Sequence, residues 1–180
     1  SIGEGCLIES NVTIQQGSII GNNCIISSGV VIGSEGFGNA RDIDKKWSPI
    51  AHLGNVCIGN NVSIGANTTI DRGSISNTEI HDGVKIDNLI HIAHNVIIGE
   101  NTAIAAKTGI AGSTIIGKRC MIGGAVGIVG HLKITDDVVI NATSTVNRNI
   151  SKPGIYTGFM PIMLHSEWKK VGMWVSKLDK

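Results

Sequence analysis

The sequence predicts an all-β fold, a parallel β-helix of hexapeptide repeats closed by a short C-terminal α-helical tail. Three observations predict it. Isoleucine recurs every sixth residue through Ile80, Ile86, Ile92, Ile98, Ile104, Ile110, Ile116, Ile122, Ile128, Ile134 and Ile140, with Val146 completing the series. The same step links Ile2, Ile8, Ile14, Ile20, Ile26 and Ile32, and again Ile58, Ile64 and Ile70. Four places after these isoleucines stands a small or β-branched residue: Val12, Cys24, Val30, Val62, Thr68, Val84, Val96, Thr102, Thr114, Cys120, Val126 and Val138. Glycine fills 24 of 180 positions against 3% aromatics, and often directly follows the isoleucine, as at Gly3, Gly21, Gly59, Gly99 and Gly117. A step of six matches neither the 3.6 of a helix nor the alternation of a long strand; it matches a short strand and a corner, repeated.

Each hexad then has a physical reading. The isoleucine and the small residue point inward, glycine relaxes the corner, and successive coils pair at the ordinary strand spacing. Two phase breaks interrupt the winding. The stretch from Ile32 to Ile58 is not a whole number of hexads and holds Gly33-Ser34-Glu35-Gly36-Phe37-Gly38, Trp47 and Pro49, which predicts an excursion loop over about 34–55. Between Ile70 and Ile80 the step is again irregular, around Asp71-Arg72-Gly73. Ser151-Lys152-Pro153-Gly154 reads as a stop, so the β-helix is expected over 1–152 and the tail over 153–180. In the tail from Met160 to Lys180, Leu164, Trp168, Val171, Val175 and Leu178 fall at helical spacing, predicting an amphipathic helix after Pro161. Tyr156, Phe159, Trp168 and Trp174 lie past residue 155 and no aromatic lies between 56 and 150, as a narrow prism requires.

Composition excludes several classes. A net charge of +1 gives no electrostatic case for nucleic acid. No apolar run reaches the roughly 18–20 residues that span a bilayer, and no signal-peptide pattern opens the chain, so no stable membrane insertion and a cytoplasmic location are expected. Cys6, Cys24 and Cys120 occupy the inward small-residue place and are expected as free thiols, although Cys6 and Cys24, three hexads apart, stack.

The Ile-Gly-x-x-Val-x repeats resemble those of left-handed β-helices, in which three hexads form one triangular coil. That coil supplies a coordinate system. His94 is two places after Ile92 and His131 three after Ile128, six hexads on, which puts them at one corner two coils apart, roughly 10 Å along the axis. Ala111-Gly112-Ser113 lies between them, and Arg148 one coil above His131. An imidazole accepts a proton near neutral pH, a glycine exposes its backbone N–H to an oxyanion, and a guanidinium holds a phosphate. Exposed corners also carry polar residues by default; the shared column is what favours a site.

A more specific resemblance follows from these corners. Asp87-Asn88, Ile92-Ala93-His94-Asn95-Val96, Ala111-Gly112-Ser113, Met121-Ile122-Gly123-Gly124 and Gly130-His131 are similar to the UDP-3-O-acylglucosamine N-acyltransferases of lipid A synthesis. So are the glycine-rich run 33–38 and Thr69-Ile70-Asp71-Arg72-Gly73, and the likeness covers nearly the whole chain. The resemblance implies transfer of a 3-hydroxyacyl group from acyl-carrier protein to the 2-amino group of a 3-O-acylated UDP-glucosamine. It implies no metal and no cofactor beyond the phosphopantetheine on the carrier. It makes His94 the general base, Gly112 the oxyanion donor through its N–H, and Asp87 and Asn88 supporting residues. It places His131 at the donor thioester, Arg148 on the phosphopantetheine path and Phe37 against substrate. It also implies a homotrimer with sites between prisms, where a second wall excludes water. The residues from Arg148 onward carry six bases and two acids, which suits an acidic carrier protein. Family members carry an N-terminal uridine-binding domain; this sequence opens within the repeat at Ser1-Ile2-Gly3.

Other readings compete for some of these residues. His91, His94 and His131 invite a zinc site, but His131 sits two coils from the other pair. His81, His52 and His165 read as turn, loop and helix surface positions, His52 being a candidate for the acceptor rim. Asp71 and Arg72 read equally as a structural salt bridge or as a substrate contact. The rival functions are another hexapeptide acyltransferase, such as the UDP-N-acetylglucosamine O-acyltransferase, and a non-catalytic scaffold.

Overall fold

The computed structural model describes residues 1–158, 161–175 and 177–178. It is a left-handed parallel β-helix whose three faces are parallel sheets of eight, seven and six short strands. Lys85 pairs with Ala103, His91 with Gly109 and Ile97 with Ile115, each three hexads on, one pair per face. The repeat isoleucines fill the prism: Ile26, Ile32, Ile64, Ile92, Ile98 and Ile110 are all essentially sealed from solvent. Each such side chain contributes about 1.5–3 kcal/mol of burial. The inward threonines remain polar without penalty, because Thr102, Thr108 and Thr114 donate to the carbonyls of Gly117, Gly123 and Val129 on the next coil.

The corners are built differently from the expectation. The left-handed backbone sits three places after the isoleucine, at Asn61, Asn67, Asn95, Asn101, Ser113 and His131 among others, and, Gly33 apart, not at the glycine that follows it. That glycine answers a close approach instead. A Cβ on Gly99 would lie 2.6 Å from the carbonyl carbon of Gly117, and one on Gly123 would press on the backbone nitrogen of Ala142. Coil-to-coil spacing, and not backbone twist, demands glycine there.

The two phase breaks fall at one corner. Val31 pairs with Thr69, and Thr69 with His91, both wider than the three-hexad step of a plain coil, so a long and then a short insertion interrupt the winding. Both insertions leave the same seven-stranded face. The first departs after the strand Val31–Ser34, folds into an antiparallel hairpin (Asn39–Arg41 with Trp47–Pro49) and rejoins at Val56. The guanidinium of Arg41 lies 5.3 Å from the centre of the Trp47 ring and closes that hairpin.

At the top, one more strand than expected belongs to the helix: Gly154–Tyr156 pairs with Val138–Ile140, past the predicted end at 152. Pro153 lacks an N–H but precedes this strand, which is the edge of its sheet, so no ladder bond is lost. The tail helix runs from His165 to Val175. It starts at the fourth place after Pro161, where the Leu164 carbonyl accepts from the Glu167 and Trp168 amides. Leu178 falls in a turn beyond it, while Met160 and Lys180 lie outside the described residues. None of the helical residues is buried within the single chain.

Candidate active site

His94 stands at the corner from which both insertions emerge. Its Nδ1 is 3.0 Å from the Oδ1 of Asn95. An amide oxygen only accepts, so Nδ1 carries the proton and Nε2 keeps its lone pair. Asn95 is itself clamped by the short insertion. Its Oδ1 accepts from the backbone N–H and the hydroxyl of Ser74, and its Nδ2 donates to the carbonyl and hydroxyl of Ser76. The irregularity around Asp71-Arg72-Gly73 therefore fixes the tautomer of His94. Sequence reasoning did not single out Asn95, though its place beside the histidine and opposite the phase break was a signal.

The free Nε2 edge lies over Gly112. A Cβ there would stand 2.7 Å from both Nε2 and Cε1, so only glycine lets the ring occupy this place. Gly112 presents a second feature. At several other corners the amide two places after the isoleucine is capped by a side chain one coil up: Asn60 by Asp82, Ala66 by Asn88, Lys118 by Asp136. Above Gly112 the stacked residue is Gly130, which has no side chain, and among the described residues nothing accepts from the Gly112 N–H. The carbonyl of Gly112 is engaged, accepting from the His131 amide at 2.9 Å. A base nitrogen and an open N–H donor thus share one corner.

The other predicted residues are placed as follows. Phe37, on the excursion loop and largely exposed, joins His91, His94, Gly109, Gly112 and Gly127 around a cavity of about 530 Å³. His131 is exposed at the left-handed position of the corner above, one place further round than His94, and is not among the lining residues of that cavity. Arg148 lines a separate cleft of about 680 Å³ with Lys152 and Tyr156; Thr145 borders both. Asp87 and Asn88 occupy a different corner. Asp87 caps Asn88 and Ala106, Asn88 caps Ala66, and the groove beside Asp87, about 550 Å³, contains Ala103 and Met121. Within one chain these two residues do not meet His94.

At the His94 corner the structure buries a histidine that the sequence read as a loop residue, and rules out one of the two readings of Asp71. His52 is buried, with its ring centre 5.4 Å from that of His94 and the planes at 68°. Gly36 and Gly38 make room for it: a Cβ on Gly38 would stand 2.5 Å from its Cε1. Asp71 forms no salt bridge with Arg72, whose guanidinium donates to the Gly54 carbonyl and the Asn55 side chain. It is buried, accepts from the Ser34 hydroxyl at 2.9 Å, and has Oδ2 3.6 Å from His91 Nε2. Burial pushes its carboxyl above the usual range, against the pull of Ser34 and of His91, His94 and His52. Among the described residues no three His, Cys, Asp or Glu side chains converge as a metal site.

The fold is that of the hexapeptide-repeat proteins, and comparison with known proteins agrees. A family model described as bacterial transferase hexapeptide (six repeats) matches residues 1–34 and 77–112, and one described as hexapeptide repeat of succinyl-transferase matches 113–148. Solved UDP-N-acetylglucosamine acyltransferases share the fold: that of Campylobacter jejuni superposes with a TM-score of 0.76 at 22% identity, covering 98% of this chain and 72% of the other. The enzyme of Francisella novicida gives 0.78 at 22% identity over 95% of this chain and 62% of the other. More specifically, the chain is 66% identical over 148 residues to the UDP-3-O-acylglucosamine N-acyltransferase of Vesicomyosocius okutanii, covering 82% of this chain and 45% of that protein. The protein of that name from Aromatoleum aromaticum is 54% identical over 138 residues, 77% of this chain and 41% of the relative. The chain belongs to the UDP-3-O-acylglucosamine N-acyltransferase family and spans less than half the length of these relatives.

Proposed function

We propose that the chain carries the acyl-transfer centre of a UDP-3-O-acylglucosamine N-acyltransferase. It moves a 3-hydroxyacyl group from the phosphopantetheine of acyl-carrier protein to the 2-amino group of the acceptor. The observation that carries this reading is the pairing of His94 Nε2 with the uncapped N–H of Gly112. The acceptor amine attacks the thioester carbonyl; Nε2 takes the proton that the nitrogen sheds, while Nδ1–H stays on Asn95. The carbonyl oxygen becomes an oxyanion within reach of the Gly112 N–H. The C–S bond then breaks, and the imidazolium returns its proton to the departing thiolate. The chain needs no metal or resident cofactor for these steps.

Asp87 and Asn88 face away from His94 in one chain, so their support of the site comes from a neighbouring prism in a homotrimer. The exposed side chains of Leu7, Ile25, Met121 and Ile155 give such a neighbour an apolar surface to cover, as does the tail helix. Arg148 and Lys152 suit the carrier's phosphate, and His131 borders the path of the thioester. The setting is cytoplasmic; no described helix is long and apolar enough to cross a membrane.

His94→Ala tests the reading. Transfer from 3-hydroxyacyl carrier protein to the UDP-sugar should fall by about 100-fold or more, with sedimentation and melting temperature nearly unchanged. Wild-type turnover in that variant would remove His94 from its role.

A further inference from the structure

A buried carboxylate with no permanent cation beside it is costly to keep ionised, and proteins normally pair it with lysine or arginine. Asp71 has neither. Its side chain is 8% exposed, and the one guanidinium next to it in sequence, Arg72, is turned away to Gly54 and Asn55. From the strand Val31–Ser34 it meets the Ser34 hydroxyl; from the strand His91–Ile92 it meets His91. The titratable groups that act on its carboxyl are the imidazoles of His91, His94 and His52. Among the described residues, the only counter-charge on offer is a proton taken up by an imidazole.

Of the three, His91 stands nearest, its Nε2 3.6 Å from Asp71 Oδ2 and its Nδ1 2.8 Å from the Thr69 hydroxyl. His52 packs against His94, and both of its ring nitrogens are buried with no hydrogen-bond partner among the described residues. His94 alone has its lone pair open to the cavity, and its Nδ1 partner, Asn95, is neutral. Nothing in contact with the base therefore carries the negative charge that would favour its protonated form.

We propose that Asp71 is a positioning residue for His94: its buried carboxylate, one coil below, supplies the negative charge against which the His94 imidazolium forms. The proposal rests on the general-base reading given above for the direction of its kinetic effect. The charge is delivered through space across a cluster closed off by Gly36, Gly38 and His52, where low polarity makes it count for more than in water. The arrangement explains why the fold keeps a buried acid without a basic partner, and why the excursion loop and the short insertion meet at this corner. It also gives Ser34 a task, since its hydroxyl keeps the carboxyl ionised in a buried place.

The test is Asp71→Asn in the full chain, read in two ways. Acyl transfer should show kcat lowered by about 10- to 100-fold with KM little changed, and the acid limb of the kcat/KM profile should move to lower pH, because the imidazolium loses its counter-charge. Independently of turnover, the rate at which diethyl pyrocarbonate modifies His94, followed on its peptide by mass spectrometry, should show the same downward shift in its pH midpoint. Should Asp71→Asn not fold, Ser34→Ala, which keeps the acid but removes its donor, should give a smaller shift in the same direction. A merely structural Asp71 would lower activity in proportion to folded protein and leave both midpoints where they are. Unmoved midpoints in a folded variant would overturn the proposal. Wild-type protein without acyl transfer, but with a His94 midpoint that depends on Asp71, would overturn the reaction and leave the electrostatic link standing.

Discussion

Two aspartates at two corners show how one repeat serves structure in one place and chemistry in another. Asp82 lies at the surface and its carboxylate caps the amide of Asn60 one coil below, at 2.7 Å. Asp71 is buried, caps no amide and faces imidazoles. The first corner satisfies its backbone with a side chain from the next coil; the His94 corner replaces those side chains with Gly112 and Gly130 and leaves an amide open. The lesson is that this solenoid makes its site largely by omission. At Gly112 the cap is left out beside the base, and the excursion loop brings Phe37 to the same cavity.

The comparison can be broken most forcefully at Gly112. Gly112→Ala keeps the N–H but drives a methyl into the His94 ring, and displacing a base by about an ångström costs on the order of 100-fold in kcat. Activity should collapse with circular dichroism intact. Asn95→Ala comes next. It frees the Nδ1 proton of His94 to shift to the other nitrogen, and kcat should fall about 10- to 100-fold in a transfer assay near neutral pH.

The two aspartates then predict opposite pH signs in thermal melts. The Asn60 amide holds the Asp82 carboxyl below its ordinary value of 3.8, so Asp82 stabilises the fold above that pH and loses the contribution as pH falls through its lowered value. Asp82→Ala should melt below wild type at neutral pH, with the gap closing in acid and transfer activity unaffected. Burial raises the Asp71 carboxyl, so ionising it costs stability at pH values above its raised value, and the cost vanishes below 3.8. Asp71→Asn should therefore melt at or above wild type at neutral pH, an advantage lost as the pH falls to the ordinary carboxylate range. A variant less active yet no less stable is the signature of a residue kept for function.

Much of this was legible in the chain. The six-residue step dictated the solenoid and both phase breaks because inward isoleucines tolerate no other period. The stacking of His94 over Gly112 followed from counting hexads in threes. What escaped the count was set by the insertions, whose residues obey no period. His52 looked like a loop residue and is buried against the base, because Gly36 and Gly38 fold the loop over it. Arg72 read equally as an ion-pair partner for Asp71 or as a substrate contact, and it holds the loop's return at Gly54 and Asn55. Asp87 and Asn88 carry a family motif, yet the three-hexad coil puts them at another corner, where one chain alone gives them only backbone to bind.

The sharpest trial of the whole account removes the imidazole and hands it back. In His94→Gly, acyl transfer should be lost and then return in proportion to free imidazole added to the buffer, since the vacated space opens on the Gly112 amide. Transfer at the wild-type rate with no imidazole present would mean that the proton leaves the amine by another route.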